Sequence, residues 1–177
     1  MKTNVIVTGA TGMVGEGVLF ECLENPAVEK ILLINRRPSE VQHPKVREIV
    51  HKDFFDLKAI EKEFAGYDAC FFCLGVSSLG LSQEEYRHLT YDLTLNFAQT
   101  LARHSPNNTF CYVTGKNTDS SEKGNVAWAQ RVLTSVFSRS RTSLSSPITD
   151  EYWCCDARDR ICRKKKPGTL TGWNCYS

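Results

Sequence analysis

Three glycines stand three residues apart in VTGATGMVGEGVL, residues 7–19: Gly9, Gly12 and Gly15. Glycine takes left-handed backbone without strain and lets another group approach the chain closely. Set between a β-branched run and a helical pattern, this spacing suits a turn that grips a pyrophosphate. Gly9 takes the tight turn, Gly12 clears the approach to the phosphates, and Gly15 lets the helix sit close to the sheet. The amides of Thr11, Gly12, Met13 and Val14 then point from a helix N-terminus, where partial positive charge favours an anion. A ligand-free turn is the bland alternative, and the strand before and helix after speak against it.

A second cluster is Asn35-Arg36-Arg37. An NAD site usually carries Asp or Glu here, accepting from the adenosine ribose. No carboxylate follows in the sequence to repel a 2′-phosphate, and two guanidiniums can pair with one. The expected cofactor is NADP(H), with NAD(H) the alternative. Asp53-Phe54 stands where a side chain can reach the adenine. Leu74-Gly75 lies beside the cofactor's ribose and nicotinamide, and Thr114-Gly115 ends the last strand. Ligands of open α/β sheets lie at the carboxyl ends of the strands, so these positions converge on one crevice.

The elements that must place them alternate. Residues 4–8 (NVIVT), 31–34 (ILLI), 46–50 (VREIV), 69–74 (ACFFCL) and 109–114 (TFCYVT) read as strands, the third nearer an edge. Val14, Val18 and Cys22 mark an amphipathic helix that Asn25-Pro26 stops. Asp56 caps a short helix burying Leu57, Ile60 and Phe64 and ending at Gly66. Ser82 with Glu85 fits a capping box, and the helix after it carries Leu89, Leu93, Phe97 and Leu101 on one stripe. The fold class expected is α/β, a Rossmann-like doubly wound parallel sheet in three αβα layers, with an incomplete or irregular C-terminal part.

The chain has 177 residues, enough for one well-buried domain and too few for two of ordinary size. No apolar run approaches the roughly 20 residues of a membrane span. The N-terminus lacks a signal peptide's apolar core, so a cytoplasmic location is expected. Cys22, Cys70, Cys73 and Cys111 fall in apolar segments and are expected as buried thiols. Residues 1–129 carry 13 basic and 16 acidic side chains, whereas 130–177 carry 9 and 4. That basic tail holds clustered Ser/Arg and an Arg-Lys-Lys-Lys run at 163–166. It is expected to be irregular and solvated, with no nucleic-acid partner. Cys154, Cys155, Cys162 and Cys175 lack paired CxxC knuckles, so no metal is expected.

TGATGMVG followed in order by NRR, DFFD, FFCLG and YVTG resembles the atypical or extended short-chain dehydrogenase/reductase superfamily. More narrowly, it is similar to the NAD(P)-binding branch of nucleoside-diphosphate-sugar epimerase-like proteins and the Tat-interacting oxidoreductase. The resemblance covers residues 3–129. It implies an NAD(P)-binding Rossmann fold, reductase, dehydrogenase or epimerase chemistry, and a catalytic role for Thr114, where the family hydrogen-bonds a substrate carbonyl. It also implies a Tyr-x-x-x-Lys pair on the next helix. Trp128 and Val132 stand near those two places, and neither can move a proton at neutral pH. Tyr112 and Lys116 match the spacing literally, but Tyr112 begins in a strand, where residues four apart are separated by roughly 13 Å. Family-like sequence ends near Ala129, and an extension follows, from a shifted reading frame or as a lineage-specific tail. The expected function is an NADP(H)-binding protein of this type, an oxidoreductase or epimerase with weak or lost catalysis. The alternative is a dinucleotide-binding redox sensor or scaffold without turnover. The small-molecule substrate stays open, and an oligomer is compatible with the pattern.

Overall fold

Residues 5–7 and 31–34 offer apolar side chains in both directions, so their strands must run between two covered faces. All seven are buried. The computed structural model describes residues 2–113, 153–156, 160–163 and 174–175. Five strands form a parallel sheet: β1 (Thr3–Thr8), β2 (Val28–Asn35), β3 (Val46–Val50), β4 (Ala69–Phe72) and β5 (Thr109–Tyr112). Their order across the sheet is β3-β2-β1-β4-β5. This is the Rossmann-like arrangement expected, with β3 at an edge.

Alternation divides the core between the two faces. Val5, Val7, Ile31 and Leu33 pack with Val18, Leu19 and Cys22 of helix α1 (Met13–Glu24). Ile6, Leu32, Ile34, Cys70 and Phe72 pack on the other side. There Phe97 sits at the centre of an aromatic group, with ring centroids 5.0 Å from Phe64 and 5.1 Å from Phe72. Lys45 closes the far end of α1, its Nζ donating to the carbonyls of Leu23 and Asn25, both at 2.9 Å. The cysteines at 22, 70, 73 and 111 stay thiols, and all but the half-buried Cys73 are buried. Burial pushes the Cys22 thiol up to about 11.

Two elements differ in detail from the sequence reading. Asp56 does begin a turn, its Oδ1 accepting from Lys58 N at 3.2 Å. The segment then closes in mixed i→i−3 and i→i−4 bonds and one 3₁₀ turn (Glu61–Phe64) rather than a full helix, with Leu57, Ile60 and Phe64 still buried. The second long helix is interrupted: α2 (Gln83–Arg87), a π turn (His88–Asp92) and α3 (Leu93–His104) follow one another directly. The wider π turn rotates what precedes it, so Leu89 leaves the stripe and is 36% exposed, while Tyr86, Thr90 and Tyr91 are buried instead.

The capping box forms as expected. Ser82 Oγ accepts from Glu85 N at 3.2 Å and Glu85 Oε2 accepts from Ser82 N at 2.9 Å. The Ser82 hydroxyl, and then its backbone N–H, hold the Glu85 carboxyl below its ordinary value. A carboxyl lowered in the folded state stabilises the fold above its unfolded pKa, and that contribution fades as pH falls through the folded one. Ser82→Ala is therefore expected to lower stability at neutral pH and to narrow the gap in melting temperature between neutral pH and about pH 3.

In the C-terminal region, β6 (Trp153–Asp156), β7 (Arg160–Arg163) and β8 (Asn174–Cys175) form a small antiparallel sheet. No helix among the described residues is long and apolar enough to cross a membrane.

Candidate functional site

Thr8 pairs with both Ile34 and Phe72, so the chain leaves β1 level with its two neighbours. Gly9 turns there with φ +70°. A Cβ on Gly9 would stand 2.9 Å from the Cys73 carbonyl oxygen, so glycine is required both by backbone sign and by space. Thr8 Oγ1 accepts from Cys73 N at 3.2 Å, which fixes β4 against the turn. A Cβ on Gly15 would overlap the Gly9 carbonyl. Helix α1 can thus start where it does only because both residues lack side chains.

Gly12 is different. It is extended, at φ −103° and ψ 157°, and a Cβ there would meet only the Gly9 oxygen, at 3.4 Å. The fold itself does not require glycine at this position. Its own amide donates to the Gly9 carbonyl at 3.0 Å, so of the four amides expected to face an anion this one is used within the turn. No side chain among the described residues caps α1. Among the described residues, the N–H groups of Thr11, Met13, Val14 and Gly15 have no acceptor. Thr11, Gly12 and Met13 are exposed and Val14 is half-buried. An oxyanion is the ligand such a set of donors fits.

Asn35 closes β2 and is 1% exposed. Its Oδ1 accepts from Ala10 N at 2.9 Å, and its Nδ2 donates to Glu48 Oε1 at 2.7 Å. The side chain therefore braces the glycine turn from inside the fold. The end of β2 has no carboxylate of its own, as expected from the sequence, but a neighbouring strand supplies one. Parallel pairing sets Glu48 of β3 beside Leu33, and its carboxylate reaches Asn35 from the neighbouring strand. Arg36 and Arg37 follow, both exposed and neither in an ion pair among the described residues.

Asp53 is exposed, its Oδ1 accepting from Phe55 N at 2.9 Å. Phe54 is 3% exposed and stacks on Phe97, so its ring belongs to the core and Asp53 is the member of the pair that faces outward. Asn96, which carried no sequence signal, holds this loop to α3 by donating to the carbonyls of Phe54 and Phe55, both at 3.1 Å. Leu74 is half-buried against the core, and Gly75 is exposed, with no atom of the described residues within 4 Å of where a Cβ would stand. Thr114, Gly115, Lys116, Trp128 and Val132 lie outside the described residues.

Two buried tyrosines stand near the ends of β4 and β5. Tyr112 is hydrogen-bonded to Thr94, and burial raises its hydroxyl well above the ordinary range; burial raises that of Tyr86 as well. Neither hydroxyl is tuned to exchange a proton near neutral pH.

A family model for the NAD dependent epimerase/dehydratase family matches residues 5–119. Among solved structures, uronate dehydrogenase from Agrobacterium tumefaciens is similar at 19% identity and a TM-score of 0.60, over 82% of this chain and 58% of that one. UDP-N-acetylglucosamine 4-epimerase from Methanobrevibacter ruminantium M1 gives 17% and 0.62, over 87% and 54%. A short-chain dehydrogenase/reductase superfamily protein from Agrobacterium tumefaciens with bound NAD gives 15% and 0.61, over 85% and 48%. At these identities the likeness is one of fold, and the chain spans only about half the length of these three proteins.

Proposed function

Since the chain belongs to the NAD dependent epimerase/dehydratase family, we propose that its glycine turn holds the pyrophosphate of a nicotinamide dinucleotide, NADP(H) in preference to NAD(H). The observation that carries this reading is the unpaired first turn of α1, with Gly9 and Gly15 packed backbone to backbone behind it and Gly12 open in front. Thr11, Met13, Val14 and Gly15 supply the N–H donors. Arg36 and Arg37 supply the charge for a 2′-phosphate, and Asp53, Leu74 and Gly75 border the adenine and nicotinamide ends of the crevice. When bound, the nicotinamide ring provides the hydride chemistry, with a small carbonyl, alcohol or sugar-nucleotide as the substrate class.

Catalysis in this chain is weak or lost. Thr114 stays as the candidate to hydrogen-bond a substrate carbonyl. The sequence offers Trp128 and Val132 where a tyrosine and a lysine would move the proton, and Tyr86 and Tyr112 are buried with raised pKa values. The same substitutions favour a second reading, a redox sensor or scaffold that binds the dinucleotide without turning it over.

Calorimetric titration of the full chain with NADPH and NADH tests the first reading. NADPH is expected to bind at least about tenfold more tightly, and Arg36→Ala with Arg37→Ala to remove that margin while leaving NADH affinity within about twofold. Absence of heat with either coenzyme would overturn it. NADPH oxidation against a carbonyl panel then separates the two roles, since measurable turnover excludes the sensor.

A further inference from the structure

Arg36 and Arg37 are bracketed by two residues that share one acceptor atom. Asn35 Nδ2 donates to Glu48 Oε1 at 2.7 Å, and Ser39 N donates to the same oxygen at 3.0 Å. A single carboxylate oxygen thus pins both ends of the loop that carries both guanidiniums. Through the other end of its amide, Asn35 also accepts from Ala10 in the glycine turn. The clasp therefore ties turn, loop and β3 together. Glu40, next along, has φ +60°, a strained backbone for a residue with a side chain, and such residues persist where surrounding contacts over-determine the chain.

Position at the sheet edge accounts for a polar residue at 48, but not for an oxygen that both ends of the loop share. Val46, Glu48 and Val50 share one face of β3, and Val46 packs against the core cluster under α1. We propose that Glu48 is a positioning residue for coenzyme selection: it sets the pose of the Arg36–Arg37 loop over the glycine turn, so that a phosphate on the adenosine ribose meets guanidiniums already in place. Paired guanidinium–phosphate bonds are directional, and ordering a free loop at the moment of binding would weaken them. The acceptor oxygen performs this role, not the charge.

The inference rests on the NADP(H) preference proposed above, and the test separates the two. Dissociation constants for NADPH and NADH are measured on the full chain carrying Glu48→Ala or Glu48→Gln. Glu48→Ala is expected to weaken NADPH by about tenfold and NADH by less than about twofold. Glu48→Gln keeps an acceptor and is expected to stay within about threefold of the parent for both. Should Glu48→Ala show no cooperative melting transition, Glu48→Asp, too short to reach both donors, takes its place with the same expectation. A parent chain that prefers NADPH together with an unchanged NADPH-to-NADH ratio in the variant overturns the positioning role alone. Equal weakening of both coenzymes overturns it as well, since that is what general loosening gives. A glutamine variant that behaves like alanine overturns the acceptor role in favour of charge. A parent chain without NADPH preference overturns both the coenzyme reading and this one.

Discussion

Gly12→Ala is expected to fold with the stability of the parent chain and to bind NADPH at least about tenfold more weakly, a loss of about 1.4 kcal/mol. Alanine caps a helix less well than glycine, but it also restricts the unfolded chain, and these opposing effects are each about 0.5–1 kcal/mol. The extended backbone at Gly12 accepts a side chain, and the nearest atom to its Cβ is the Gly9 oxygen at 3.4 Å. What the methyl group meets is the ligand. Gly15→Ala should behave in the opposite way. Its Cβ overlaps the backbone of Gly9 and Ala10, a turn fixed on one side by the Cys73–Thr8 bond and on the other by the Ala10–Asn35 bond. A loss of about 3 kcal/mol follows, at the upper end of ordinary overpacking. Urea denaturation beside coenzyme titration distinguishes the two. If Gly12→Ala binds as the parent does, no phosphate lies against that residue.

Asn35→Asp is the substitution that simple sequence logic would choose to convert the site to NAD(H), and it is expected to unfold the protein partway instead. The side chain faces Ala10 and Glu48, not solvent. Aspartate keeps the acceptor for Ala10 but sets an oxygen where Nδ2 now donates to Glu48 at 2.7 Å. Two carboxylates in contact cannot both stay ionised, so one must hold a proton or the clasp opens. The expected loss at neutral pH is about 2–4 kcal/mol. A shared proton is bound more tightly in the folded state than in the unfolded one, so stability relative to the parent rises as pH falls from neutral toward the carboxylate range. Melting temperatures of both chains across that range check the sign. A variant as stable as the parent at neutral pH would show that Glu48 swings clear of residue 35.

Much of this architecture was legible because local signals agreed with one another. The strand runs, the glycine spacing and the Ser82–Glu85 box all lie where the periodicity indicates, and each is a matter of residues close in sequence. What escaped the reading depends on distant partners. Glu48 reads as an ordinary polar position of an edge strand, and only the parallel pairing of β2 with β3 reveals its contact with Asn35. Phe54 reads as a loop aromatic, yet Asn96 draws the loop down and the ring joins Phe97. Leu89 fits a helical stripe by spacing, and a single π turn carries it to the surface. That turn leaves no composition signal, and it coincides with the burial of Tyr86, Thr90 and Tyr91.

The middle strand of the sheet is also the earliest to be synthesised. β1 finds β2 within about one helix's length of chain, but its other neighbour, β4, begins at Ala69. While the ribosome makes the intervening residues, one side of β1 has its N–H and C=O groups unmatched, and Ile6, on the face away from α1, is uncovered. Such a hydrophobic border is a template for the wrong chain. Production of this protein should therefore gain more from slower, cooler translation or from chaperones that shield nascent strands than from any change at its mature surface.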